Sequence, residues 1–298
     1  MKIAIVGDIH IQENNPRVRK DEYLETVLGK LKYLLENNDK VICLGDLFDK
    51  CQNSTLLFNR LFKFFSLYPN KFISILGNHD IFHSNQNDLD RTSIGSLYYT
   101  GAIDIKTDTF TIDGQTFAVS KCEKDITNIP IDEDNDNILL GHNFFEDARA
   151  PKESLTRDDL IALNYKWCLL GHDHSTYAEE FIGNTALVRM GSLTRITSDT
   201  YNFTRVIQYY QFDTELREFK RIQVPHKPVK EVFIESAFEK KALRKEINFI
   251  AIGEALAKFN KSSEGIHSLD KALDAVGTPN RHKVRIKGHH IVNGLAYN

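Results

Sequence analysis

The chain has 298 residues, 41% of them apolar and 27% charged, a balance that can bury a large core and excludes disordered, collagen-like and coiled-coil architectures. Formal net charge is −3, yet residues 1–216 carry 22 Lys/Arg against 32 Asp/Glu while residues 217–298 carry 16 against 9, so an acidic body adjoins a basic C-terminal region. No apolar run approaches the roughly 18 residues of a membrane span, and the first residues lack the basic-then-apolar layout of a secretion signal, so the expected location is the cytoplasm.

Residues 2–6 read as a strand and residues 21–37 as a helix, with Leu24, Val27, Leu28, Leu31, Leu34 and Leu35 at three- and four-residue spacing. A strand at 41–44, a helix at 55–67 and a strand at 72–76 complete a β-α-β-α-β start, which implies parallel pairing with right-handed crossovers. From residue 109 the pattern turns strand-rich, at 109–112, 116–119, 138–140, 167–170, 186–190, 206–212 and 219–224, and predicts a second sheet. Pro225 and Pro228 then punctuate the chain. Beyond them the pattern reads as a strand at 232–234, helices at 238–259 and 269–276, and a strand at 283–286. Two domains are expected, 1–224 and 225–298. The four cysteines, Cys43, Cys51, Cys122 and Cys168, form no C-x-x-C pair and are expected as reduced thiols.

Five times an apolar strand ends in Gly followed by a metal-ligand residue type: Asp8, Asp46, Asn78, His142 and His172. Sites in α/β sheets form beyond the carboxyl ends of strands, and a Gly there allows a sharp turn without a side chain in the way. Two of the five bring a further donor two residues later, His10 after Asp8 and His174 after His172, and in extended backbone such pairs point the same way. Seven oxygen and nitrogen donors without a thiolate suit two octahedral-leaning divalent ions, Mn²⁺ or Fe²⁺, with Zn²⁺ also compatible.

GDIH at 7–10, GDLFD at 45–49, GNHD at 77–80, GH at 141–142 and GHDH at 171–174 together resemble the five ordered motifs of the calcineurin-like metallophosphoesterases. That resemblance implies an α/β class fold, a four-layer α/β/β/α sandwich of two mixed sheets, followed here by a small α+β cap region. It also implies that Asp8, His10, Asp46 and His174 hold one ion while Asp46, Asn78, His142 and His172 hold the other. By the same resemblance His79 is the proton donor to the leaving group and Asp80 its orienting carboxylate. Asp49 reads either as a hydrogen-bond partner of a ligand or as a cap of the following turn.

Protein phosphatases of the superfamily carry an Arg after the second motif and GNHE at the third. Here Lys50 and Cys51 follow Asp49, and Asp80 stands for Glu. GDLFD and the stretch Met190 to Arg195 are instead similar to the DNA-repair nuclease branch, of SbcD type. This implies a metal-dependent DNA exonuclease or endonuclease acting in repair, recombination or replication. DNA is then the partner, together with an SbcC-type coiled-coil ATPase, although few residues follow Lys287 for a docking helix pair; a homodimer is also compatible. Candidate DNA contacts are Arg17, Arg19, Lys20 and Arg195, and Arg281, Lys283, Arg285 and Lys287, whose alternation puts four cations on one strand face. The same strand also reads as a solvated edge that resists aggregation. The alternative activity is a small-molecule phosphodiesterase or phosphatase acting on nucleotides, and a non-enzymatic scaffold is disfavoured by the intact donor set.

Overall fold

A computed structural model describes residues 1–82, 85, 88–120, 138–147 and 154–237. The chain divides into two compact units, Met1–Ile234 and Glu235–Asn298, and the elements below lie in the first. The elements expected at 238–259, 269–276 and 283–286 are outside the described residues.

In chain order the elements are β1 (Lys2–Val6), α1 (Tyr23–Asn37), β2 (Lys40–Cys43), α2 (Thr55–Phe65), β3 (Phe72–Ser74), α3 (Ser93–Tyr99) and β4 (Asp104–Ile105). They continue with β5 (Phe110–Ile112), β6 (Gln115–Ser120), β7 (Ile138–Gly141), α4 (Arg157–Leu163), β8 (Trp167–Leu170), β9 (Glu180–Ile182) and β10 (Thr185–Arg189). The last are α5 (Thr200–Thr204), β11 (Gln208–Asp213), β12 (Glu218–Gln223) and α6 (Val229–Val232). One sheet runs β12-β11-β1-β2-β3-β4 and the other β5-β6-β7-β8-β10-β9. In the first, β1, β2, β3 and β4 are parallel neighbours and β11 and β12 add an antiparallel flank. In the second, β6, β7, β8 and β10 are parallel, with antiparallel β5 and β9 at the edges.

Side-chain alternation along the strands divides the core into layers. Ile3, Ile5, Ile42 and Ile73 of the first sheet pack against Phe117, Ile138, Leu140, Leu169 and Val188 of the second. The opposite faces of the first sheet, including Ala4, Val6, Val41 and Phe72, carry the apolar stripe of α1 together with Leu57, Leu61, Ile94 and Leu97 of α2 and α3. Leu139, Cys168 and Leu187 of the second sheet carry Leu160 and Leu163 of α4. This is the α/β/β/α sandwich of two mixed sheets expected from the motifs. Helix starts follow local chemistry: Ser54 Oγ accepts from the Leu57 amide at 3.1 Å, and Thr156 with Asp159 forms a reciprocal capping box on α4.

One expected element differs. Residues 232–234 do not form a strand of a sheet: Pro228 caps α6, a single turn that ends at Val232, and only Phe233 then bridges to Arg19. Proline's fixed φ favours starting a helical turn, which consumes the residues an extended run would need. Cys43, Cys51 and Cys168 are free thiols. Among the described residues no helix is long and apolar enough to cross a membrane.

Leu140 lies fully buried in the seam between the two sheets. Leu140→Ala is expected to lower the unfolding free energy by about 2–5 kcal/mol in urea titration; a loss below about 1 kcal/mol would contradict a close-packed seam there.

Candidate metal centre

The first three motifs follow β1, β2 and β3 of one sheet, and the last two follow β7 and β8 of the other. Close packing brings the five turns together. Gly45 has φ +86°, and a Cβ on Gly77 would lie 2.1 Å from Asp46 Oδ1, so at these two positions the absence of a side chain is what lets the second and third motifs meet. His10, Asp46 and His172 adopt left-handed backbone at φ 52°, 50° and 81°. His10 and His172 therefore reach the centre from kinked backbone rather than the extended backbone that their two-residue spacing from Asp8 and His174 predicts. Such conformations cost about 1–3 kcal/mol each and persist only where surrounding contacts hold them.

Two donor groups contain the seven expected ligands, and a third grouping, His10, Asp46 and His79, overlaps them. In the first, His174 Nε2 lies 3.3 Å from Asp8 Oδ2 and 2.8 Å from His10 Nε2. In the second, His142 Nε2 lies 3.3 Å from Asp46 Oδ2, 3.0 Å from Asn78 Oδ1 and 3.1 Å from His172 Nδ1. Asp46 Oδ2 is also 3.7 Å from His10 Nε2, which sets this carboxylate between the groups. His142 Nδ1 donates to the Leu44 carbonyl at 2.7 Å, which leaves Nε2 as the ring's inward-facing atom. The ring of Phe144 closes on His172 edge to face at 3.8 Å.

The residues fit divalent ions on observations independent of family. Asp8 Oδ2 and His10 Nδ1 are buried and make no hydrogen bond, a costly arrangement for a carboxylate unless a cation faces it. Burial raises the pKa of Asp8 against the pull of His142. Burial drives His10 down to about 3 and His172 down to about 4, so both imidazoles are neutral, the form that ligates. Burial opposes protonation of His142 as well, but the Asp46 and Asp8 carboxylates overcome it and lift this ring to about 10. The cluster thus gathers positive charge to offset its carboxylates, the demand that bound cations would meet.

His79 and Asp80, adjacent in the chain, face different partners. His79 Nδ1 donates to the Asp49 carbonyl at 2.7 Å, and its amide donates to Asp46 Oδ1 at 2.9 Å. The buried Asp80 carboxylate turns inward and accepts from the amides of Gly77, Leu47 and Phe48 at 3.1, 3.3 and 3.2 Å, so it ties the second motif to the third instead of orienting the His79 ring. The reason is local: these three amides, at the turns of the second and third motifs, have the Asp80 carboxylate as their acceptor. Burial lifts Asp80 to about 7, with the Asp46 charge adding to the rise. Partial burial works against His79 protonation, but Asp46 and the Asp49 carbonyl raise its pKa. Asp49 thus holds the His79 ring with its carbonyl, while its carboxylate Oδ1 faces His10 Nδ1 at 3.7 Å, beyond hydrogen-bond reach.

The basic candidates separate by burial. Arg17 and Lys20 are exposed. Arg19 and Arg195 are not available to a polyanion: Arg19 is buried in a two-pronged pair with Asp21 at 2.8 and 2.6 Å, and Arg195 is buried with its guanidinium on the Arg205 and Lys227 carbonyls. Arg281, Lys283, Arg285 and Lys287 lie outside the described residues. Sequence reasoning assigned nothing to Tyr23, whose hydroxyl reaches the His10 carbonyl at 2.8 Å. An aromatic ring opening an amphipathic helix reads as core, and its ring is indeed core.

The sequence profile of the calcineurin-like phosphoesterases matches residues 1–176, more than half of the chain, and the chain belongs to that family. Its class is therefore that of the metal-dependent phosphoester hydrolases. Comparison with curated protein sequences gives no match. Among solved structures the chain is similar to TT1561 of Thermus thermophilus, at 14% identity and a TM-score of 0.45 over 75% of this chain and 99% of that one. It is also similar to the hypothetical protein PH1004 from Pyrococcus horikoshii, at 13% identity and a TM-score of 0.42 over 82% of this chain and 93% of that one.

Asp46→Ala removes the carboxylate set between the donor groups. In calorimetric titration with Mn²⁺, both binding steps are expected to weaken together while the metal-free protein keeps its circular dichroism. Weakening of one step alone would show that Asp46 serves a single ion.

Proposed function

We propose that this chain is a two-metal phosphodiesterase whose substrate is DNA, cleaved as an exonuclease, an endonuclease or both, in a cytoplasmic repair, recombination or replication reaction. The observation that carries the phosphodiesterase reading is the Asp46 carboxylate standing between two donor groups. Asp8, His10 and His174 would hold one ion with Asp46; Asn78, His142 and His172 would hold the other. A donor set of oxygen and nitrogen favours Mn²⁺, with Fe²⁺ or Zn²⁺ compatible. Divalent ions held there would lower the pKa of a water and offset the charge that develops in an in-line displacement.

The chain's own contribution to proton transfer is His79. Its Nδ1 is committed to the Asp49 carbonyl, so Nε2 is the free ring nitrogen. The raised pKa keeps the ring charged nearer to neutral pH, and a proton on Nε2 can pass to the departing oxygen. For the substrate, support comes from the likeness of GDLFD and of Met190 to Arg195 to the nuclease branch, from exposed Arg17 and Lys20, and from the excess of Lys/Arg in residues 217–298.

His79→Ala is expected to bind Mn²⁺ as the wild type does and to cut DNA about 10²–10⁴-fold more slowly. Hydrolysis of bis-p-nitrophenyl phosphate should fall much less, because nitrophenolate leaves without a proton. Equal losses on both substrates, or loss of an ion, would remove His79 from the proton-donor role.

Replacing Arg281, Lys283, Arg285 and Lys287 with Gln in the full chain is expected to flatten the salt dependence of DNA binding, by about one unit of log-log slope for each phosphate that these side chains neutralise in the wild type. An unchanged slope would make this segment a charged edge. A wild type that ignores DNA and hydrolyses a nucleotide would establish the small-molecule reading instead.

A further inference from the structure

The left-handed backbone of His10 has no glycine to relieve it, so neighbouring groups must hold it. Its amide donates to the Asp46 carbonyl at 2.9 Å, and its carbonyl accepts from Tyr23 Oη at 2.8 Å. The carbonyl of Ile9 accepts from Thr194 Oγ1 at 3.1 Å, and that of Asp8 from the Leu193 amide at 2.8 Å. Three consecutive carbonyls of the first motif are thus each met by a donor from Tyr23 or from the segment 193–194. Tyr23 Oη and Thr194 Oγ1 lie 3.2 Å apart, so the two hydroxyls form one unit, and both side chains are buried.

The segment that supplies Thr194 is itself braced by buried basic side chains. Arg205 donates to the carbonyls of Ser192 and Thr194, Lys30 to that of Leu193 at 2.8 Å and Arg19 to that of Arg195 at 2.7 Å. All three side chains are buried. Four successive carbonyls of the segment are engaged by buried basic side chains while its Leu193 amide and Thr194 hydroxyl face the first motif. The bonds from the Arg19 and Arg205 guanidinium groups are charge-assisted and stronger than neutral ones, which makes the segment a rigid support.

We propose that Tyr23 and Thr194 are positioning residues for the metal centre: their hydroxyls fix the Ile9 and His10 carbonyls and so hold His10 in the kinked conformation that turns its imidazole toward Asp8 and His174. The proposal rests on the reading of Asp8, His10 and His174 as ligands of one ion. Neither hydroxyl touches a donor atom, so the effect passes through the His10 backbone alone. Contacts behind ligands commonly govern metal affinity by about 10–100-fold, and the group supported here belongs to only one of the two sites.

The test titrates Mn²⁺ calorimetrically into full-length wild type, Tyr23→Phe, Thr194→Val and Thr194→Ser, with thermal melting of each metal-free protein. Tyr23→Phe keeps the buried ring, and Thr194→Val keeps the shape. Each is expected to melt close to the wild type and to bind one of two Mn²⁺ ions about tenfold more weakly, the other unchanged, whereas Thr194→Ser, which retains the oxygen, restores both steps. Unchanged Mn²⁺ affinities in the folded variants overturn the proposal, as does a Thr194→Ser variant as weak as Thr194→Val. Should Tyr23→Phe fail to fold, the two Thr194 variants decide. A wild type that takes up no Mn²⁺ overturns the ligand reading itself, and this proposal with it; a wild type that binds two ions beside unaffected variants overturns the proposal alone.

Discussion

The structure turns on the carboxylate of Asp46. It leaves β2 on a left-handed residue, behind a glycine of positive φ, and its Oδ1 sits where any side chain on Gly77 would collide with it. Oδ1 is fixed by the His79 amide, so Oδ2 is free to face His142 on one side and His10 on the other. Residues of the first, third and fourth motifs each approach this one group of the second. A sandwich of two facing sheets is what allows it, because His142 comes from β7 of the sheet opposite.

Three buried carboxylates, Asp8, Asp46 and Asp80, stand within this small volume, and each meets the desolvation problem differently. Asp80 takes three backbone amides, and burial still lifts it to about 7. Asp46 is held below the ordinary carboxylate range by His142, whose charge and hydrogen bond outweigh the cost of its burial. Asp8 keeps one oxygen on the His172 amide and leaves the other without a hydrogen bond. That oxygen, with His10 and His174 around it, is a buried carboxylate oxygen with no hydrogen-bond partner, and it is where the proposed first ion would sit.

The architecture and the clustering of the candidate donors were legible because both are written in local repetition: an apolar run, a glycine, then a ligand type, five times over. The amphipathic spacing of α1 was equally plain, since Leu24 through Leu35 face the core as their periodicity requires. What the sequence hides is pairing across distance. Arg19 and Arg195 read as loop cations because nothing local reveals that Asp21 and the carbonyls of residues 205 and 227 enclose them. Asp80 stood next to His79 in the chain, yet a side chain adjacent in sequence is free to turn away, and three amides drew it inward. The kinks at His10 and His172 were invisible for a related reason: left-handed backbone at a non-glycine residue is imposed by contacts such as those with Tyr23 and Asp46, and carries no sequence mark of its own.

The central claim is that one carboxylate joins two ion positions into a single centre. Electron paramagnetic resonance of the protein loaded with two equivalents of Mn²⁺ tests this directly. The account predicts the broadened spectrum of a magnetically coupled Mn²⁺ pair, which reverts to that of isolated ions at substoichiometric loading. A spectrum of isolated, uncoupled Mn²⁺ at full loading would contradict it.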